Sequence, residues 1–154
     1  MKVKEAMTRS PFSLRPSDSI KTVLDTLAER KISGCPVVDS KGRVLGVITQ
    51  TDILRIIDVH SGIQKPGTDL FSLVLASIRS ESYDSMKTAL KKVMNLKIRD
   101  FMAKDVVSID HEEDIYTAAR LMNKHDVDRL PVVKDDKLVG ILTRWDVIRA
   151  LEKL

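Results

Sequence analysis

The sequence predicts an α/β (α+β) fold built twice from one unit, and three observations carry that prediction. Slid against itself by 95 residues, the chain matches at both ends: Val3, Met7, Ser13, Ile20 and Thr22 fall on Ile98, Met102, Ser108, Ile115 and Thr117, and "PVV" at Pro36–Val38 falls on "PVV" at Pro131–Val133. One residue is lost in the turn that follows, after which Gly46, Thr49, Asp52 and Arg55 match Gly140, Thr143, Asp146 and Arg149 at an offset of 94. Within each copy, helical periodicity alternates with short apolar runs in the order β-α-β-β-α. Two copies make a pair, not a solenoid array.

The first copy is read as residues 1–58. A short apolar segment, Phe12–Leu14, precedes the hydroxyl and acidic cluster at Ser17–Ser19, which suits a helix start. The helix that follows carries Ile20, Val23, Leu24 and Leu27 on one face. Two apolar runs come next, "CPVVD" and "RVLGVIT", separated by Ser40, Lys41 and Gly42, and they read as a pair of strands. A last helix starts near Thr51. The second copy, residues 96–154, repeats this with Val106–Ile109, a helix bearing Ile115, Ala118, Ala119 and Met122, strands "LPVVK" and "KLVGILT" around Asp135 and Asp136, and a helix from about Trp145. Strands this apolar on both faces need helices over them, so the two units are expected to pack as a pseudo-two-fold pair on one shared core.

Residues 59–95 match neither copy. After a Lys65–Gly67 loop, Thr68 is placed to cap a helix over "DLFSLVLASIR", and a second helix sets Met86, Leu90, Val93 and Met94 against Lys87, Lys91 and Lys92. The expectation is a helical hairpin covering the pair; the sharper alternative is a docking surface, because the apolar face of the first helix is wide for a linker.

The phrases "GVITQTD" and "GILTRWD" concentrate the chemistry. A threonine ending a strand with an acid three residues later forms a capping box, worth about 1 kcal/mol. The same geometry serves a ligand. A helix N-terminus offers unpaired N–H groups and partial positive charge to a phosphate, the threonine hydroxyl adds a donor, and an ionised aspartate accepts hydrogen bonds from the two vicinal hydroxyls of a ribose. The apolar strands beside them could hold a base.

Taken together, "ISGCPVVD…GRVLGVITQTDIL" and "VDRLPVVK…KLVGILTRWDVI" resemble a tandem pair of CBS domains, the cystathionine β-synthase type, also called a Bateman module. The resemblance covers both repeats and leaves only the insert unmatched. It implies adenosine-containing ligands bound in clefts between the repeats, with Asp52 and Asp146 as ribose acceptors and Thr49 and Thr143 as phosphate contacts. Residues entering the second strand of each copy, Ser33, Gly34 and Cys35, and Asp128, Arg129 and Leu130, are expected to line the clefts. Where some nucleotide-sensing relatives place a histidine before an arginine, this chain has Asp128 before Arg129, and Ser33 before Gly34. Arg129 and Arg144 remain as phosphate partners. The acidic residue disfavours a multiply charged ligand such as ATP at that cleft and leaves AMP, an uncharged nucleoside or a sulfonium such as S-adenosylmethionine open. The resemblance also implies a disc-like homodimer.

The rest of the composition narrows the function classes. Over 154 residues, apolar side chains make up 43% and charged ones 31%, a soluble balance, and no apolar run nears the ~20 residues needed to span a bilayer. Cys35 is the single cysteine, so no internal disulfide or cysteine-rich metal site is possible, and a reducing cytoplasm is expected. The net charge of +4 is scattered among acids and aromatics are 4%, which argues against nucleic acid. His60, His111 and His125 lie in dissimilar contexts and no catalytic motif occurs, so no enzyme, required cofactor or metal is expected. Trp145 is expected to anchor the last helix, with packing against the ligand cleft as the alternative. The reading is a stand-alone regulatory module that binds an adenosine-type ligand (AMP, ADP, ATP or S-adenosylmethionine) and signals to an unidentified protein target. The alternative is a ligand-free protein or nucleic-acid interaction scaffold working through the insert, in which Leu70, Phe71 and Leu73 carry the partner.

Overall fold

The computed structural model describes residues 1–60 and 80–153. The Thr68 cap and the residues Leu70, Phe71 and Leu73 lie outside the described residues. The elements in order are α1 (Val3–Ala6), β1 (Thr8–Arg9), α2 (Ile20–Arg30), β2 (Gly34–Val38), β3 (Val44–Thr49), α3 (Gln50–His60), α4 (Ser80–Met94), a 3-10 turn (Ile98–Asp100), β4 (Ile109–Asp110), α5 (Ile115–His125), β5 (Arg129–Lys134), β6 (Lys137–Thr143) and α6 (Arg144–Glu152). The mixed α/β architecture and the doubled β-α-β-β-α order are as the sequence predicts. The two leading strands are shorter than expected: the Phe12–Leu14 segment reduces to a single parallel bridge of Leu14 with Val37, and Val106–Ile109 to β4.

Local sequence explains the helix boundaries. The Ser19 hydroxyl accepts from Thr22 N–H at 3.2 Å and the Asp114 carboxylate from Thr117 N–H at 2.9 Å, so α2 and α5 start at equivalent caps. Both end with a left-handed residue, Lys31 (φ 53°) and Asp126 (φ 50°). The next N–H then returns to the last turn: Ile32 donates to Leu27 O at 3.1 Å and Val127 to Met122 O at 3.0 Å. Between β5 and β6, Asp135 and Asp136 both take positive φ, which closes a two-residue hairpin with Lys134 opposite Lys137.

The chain divides into two compact units, and each draws on both repeats. One gathers Met1–Arg15, Pro36–Val47 and Ala103–Leu154. Its four-stranded sheet runs β1-β6-β5-β4, with β6 antiparallel to both β1 and β5 and β4 parallel to β5. Ile115, Ala118 and Met122 of α5 and Val147 and Ala150 of α6 close over Leu130, Val132 and Leu142 with Val3 to form its core. The amino-terminal segment is threaded into this unit: Val3 N–H donates to Glu113 O at 2.8 Å and Ile115 N–H to Met1 O at 3.1 Å. Gly140 permits the approach, because a Cβ there would run into the Met7 sulfur.

The other unit holds Pro16–Cys35 and Ile48–Met102. Here α4 packs on α2 and α3. Its buried side chains include Ile20, Val23 and Leu27 of α2, Ile53 and Ile56 of α3, and Val93 and Ile98. The segment entering the second repeat is fastened to the start of α2, with Ile20 N–H donating to Leu96 O at 2.9 Å and Ile98 N–H to Asp18 O at 3.0 Å. Val3 and Ile98, equivalent by repeat, are both 0% exposed, so each repeat's leading segment seals the first helix of the other.

Candidate functional site

Each repeat builds the same strand-to-helix turn. In the first, β3 ends at Thr49 and α3 begins. Thr49 N–H and Oγ1–H donate to Asp52 Oδ2 at 2.8 and 2.9 Å, and Asp52 N–H donates back to Thr49 Oγ1 at 3.3 Å. In the second, Thr143 N–H and Oγ1–H donate to Asp146 Oδ2 at 2.8 and 2.7 Å, and Asp146 N–H returns to Thr143 Oγ1 at 3.2 Å. Both are full capping boxes. The hydroxyl proton of each threonine is therefore directed at the carboxylate, and a phosphate at either turn would meet the backbone N–H groups of the helix start first.

The strand-entry residues are tied to these turns. Gln50 N–H donates to Ser33 O at 3.0 Å, and Arg144 N–H donates to Asp128 O at 3.0 Å. Ser33, Gly34, Thr49 and Asp52 thus gather in one unit, and Asp128, Arg129, Thr143, Arg144 and Asp146 in the other, where Arg129 lies opposite Thr143 in the sheet register. Cys35 and Leu130 are both 0% exposed, so neither offers its side chain to solvent beside its turn.

The polar surroundings of the two turns differ. Arg129, 7% exposed, holds Asp128 through both oxygens, Nε to Oδ1 at 2.9 Å and Nη2 to Oδ2 at 3.0 Å, which keeps the Asp128 carboxyl below the usual carboxylate range. Arg144 reaches Val127 O at 3.3 Å and Asp126 at 3.4 Å. Asp146 is 5% exposed, and its Oδ1 takes Arg149 Nη2 at 2.6 Å. Burial pushes its carboxyl up, but the hydrogen bonds from Thr143 and the Arg149 guanidinium outweigh that and hold it below the ordinary value. Around Asp52 there is no equivalent ion pair among the described residues; the side chain is half-buried and its Oδ1 accepts nothing there. An arginine three residues after an aspartate on a helix permits this contact but does not fix it, since Arg55 stands at the same spacing from Asp52.

The remaining candidates sit elsewhere. His111 lies in the turn before α5, with Nδ1 3.2 Å from Asp110 Oδ1 and Nε2 3.4 Å from Glu112 Oε1. His125 ends α5. Trp145 is 64% exposed and does not anchor α6 in this chain, which corrects the expectation; Val147 and Ala150 are the residues that bury that helix. Among the described residues no group of histidine, cysteine and acidic side chains is placed to hold a metal ion. No described helix is long and apolar enough to cross a membrane.

A family model of the CBS domain matches residues 3–59 and again 98–153. The chain belongs to the CBS domain family. As a tandem CBS pair it is 34% identical over 158 residues to the uncharacterized protein MJ1426 of Methanocaldococcus jannaschii, covering 98% of this chain and 91% of that one. It is 33% identical over 138 residues to the chloroplastic CBS domain-containing protein CBSX2 of Arabidopsis thaliana, covering 89% of this chain and 57% of the relative. A solved structure of CBSX2 in complex with AMP aligns with a TM-score of 0.71 at 26% identity, over 99% of this chain and 96% of that one. The CBS domain pair of protein MJ0100, solved with 5′-methylthioadenosine and S-adenosyl-L-methionine, shares the fold, with a TM-score of 0.70 at 21% identity over 99% and 97% of the two chains.

Proposed function

We propose that this CBS pair is a regulatory module, without catalytic activity of its own, that binds an adenosine-containing ligand at a Thr-x-x-Asp turn. Occupancy is passed to a separate protein target as a shift between conformations. The observation that carries the reading is the Thr49–Asp52 turn. It combines a helix N-terminus, a half-buried carboxylate with one oxygen unengaged among the described residues, and a strand entry at Ser33 fixed beside it by the Gln50 N–H. Such a turn can take the phosphate and the ribose of a mononucleotide together. The AMP bound to CBSX2 and the adenosine compounds bound to the MJ0100 pair support the ligand class.

The module acts in the cytoplasm as a homodimer. Tyr116, Trp145 and Ile148 are 59%, 64% and 54% exposed, apolar surface that a second copy would cover. Ile148→Asp should leave monomer stability within ~0.5 kcal/mol and dissociate the dimer in sedimentation.

The test is a thermal-shift panel of AMP, ADP, ATP, S-adenosylmethionine, methylthioadenosine and NAD. A ligand at ~100 times its dissociation constant adds about 2.7 kcal/mol, which raises the melting temperature by several degrees. A shift lost in Asp52→Ala supports the reading. No shift with any compound refutes it and leaves the turns as caps alone.

A further inference from the structure

The two turns carry Thr and Asp at the same spacing, with an arginine three positions after each aspartate, yet among the described residues only Asp146 is paired with its arginine. We propose that Arg149 closes the second turn to a ribose, so that the chain takes one nucleoside ligand, at Thr49–Asp52, and that Arg149 is the residue that sets this stoichiometry. The inference rests on the ligand reading above and deepens it.

A vicinal diol donates two hydrogen bonds, and a carboxylate receives both well only if lone pairs on its exposed side are open. At Asp146 little is open: three of its acceptor sites are taken, and the lone pair left on Oδ1 belongs to a carboxylate that is 5% exposed. Oδ2 accepts both donors of Thr143, and Oδ1 accepts Arg149 Nη2 at 2.6 Å. A ribose there would compete with a short, charge-assisted bond for the single oxygen that Thr143 leaves free. The strand entry adds to the closure, because Asp128 and Arg129 satisfy each other and Arg144 is turned to Asp126. At Asp52 the box is the same, but Oδ1 accepts nothing among the described residues, and Arg55 is exposed and makes no ion pair among them. Ser33 and Gly34 replace the Asp128–Arg129 pair, which leaves no second carboxylate at that strand entry to repel a phosphate.

Isothermal titration with AMP decides it. The wild-type chain should bind one AMP per chain, and Asp52→Asn should lose it by 100-fold or more. Arg149→Gln should gain a second event, giving two AMP per chain, while Arg149→Lys, which keeps a cation beside Oδ1, should stay at one. Two wild-type sites, or stoichiometric binding that survives Asp52→Asn, overturns the Arg149 closure and leaves the ligand reading standing. An Arg149→Gln chain that melts with the wild type and still binds one AMP also overturns it. Should Arg149→Gln fail to fold, the Asp52→Asn result still decides between one site and two. Absence of AMP and S-adenosylmethionine binding in every variant overturns the ligand reading and the closure with it.

Discussion

The turn at Thr49 and the turn at Thr143 are the same object at the level of the backbone and different objects at the level of charge. Both close a capping box with near-identical hydrogen bonds, and both are fastened to their strand entry by one backbone bond of 3.0 Å. One presents a half-buried carboxylate with an oxygen to spare; the other pairs its buried carboxylate with Arg149, and its strand entry carries the pairs Asp128–Arg129 and Asp126–Arg144. Local sequence is enough to set a turn, because capping needs only Thr and Asp at the right spacing. Readiness for a ligand depends on which neighbours have already claimed the polar atoms.

The largest expected effect separates the two aspartates by stability. Asp146→Ala removes a cap and the carboxylate buried against Arg149. Breaking a buried pair costs ~3–5 kcal/mol, and because Arg149 is 57% exposed and stays solvated we expect ~2–3 kcal/mol. Asp52→Ala should cost only the cap, ~1 kcal/mol. Urea denaturation of both variants measures this, and equal losses would break the comparison. The next effect tests what the turns share: Thr49→Val and Thr143→Val should each lose ~1 kcal/mol, and a disparity much above that would mean the boxes are not equivalent.

The smallest effect is in acid. The Asp128 and Asp146 carboxyls are held below their ordinary values in the folded chain, chiefly by the Arg129 hydrogen bond for Asp128, and for Asp146 by Thr143 and Arg149 against the opposing effect of burial. The unfolded chain therefore takes up protons first as pH drops. The stability these groups contribute is present above the ordinary carboxylate range and is lost as pH falls through the depressed folded values, below about pH 4. The acid-induced loss should be smaller in Asp146→Asn than in the wild type, read from denaturation midpoints at pH 7 and pH 3. An unchanged loss would deny Asp146 its role as a paired anion.

Much of this was legible in the residues. The doubled Thr-x-x-Asp, the caps at Ser19 and Asp114 and the Asp135–Asp136 turn act over three or four residues, and short-range chemistry fixes them. The exchange of leading segments was not. β1 is two residues long and pairs with β6, over a hundred residues away, through a gap that depends on Gly140 having no side chain. No periodicity marks such a contact. The expected anchor Trp145 failed for a related reason: size suggests burial, but helix phase puts Val147 and Ala150 inward and Trp145 out. Of the candidate site, the residue types and their gathering at the two turns could be read. The Arg149 pairing could not, since Arg55 stands at the same spacing and makes no ion pair among the described residues.

The most direct test of the central claim, that the Asp52 carboxylate receives a ribose, is the affinity of this chain for AMP against 2′,3′-dideoxy-AMP by calorimetry. Hydrogen bonds to a charged acceptor contribute about 1.5–3 kcal/mol, so removing the diol should weaken binding by roughly 10- to 100-fold. In Asp52→Asn the two nucleotides should converge. Equal affinity of the wild-type chain for both would contradict the account.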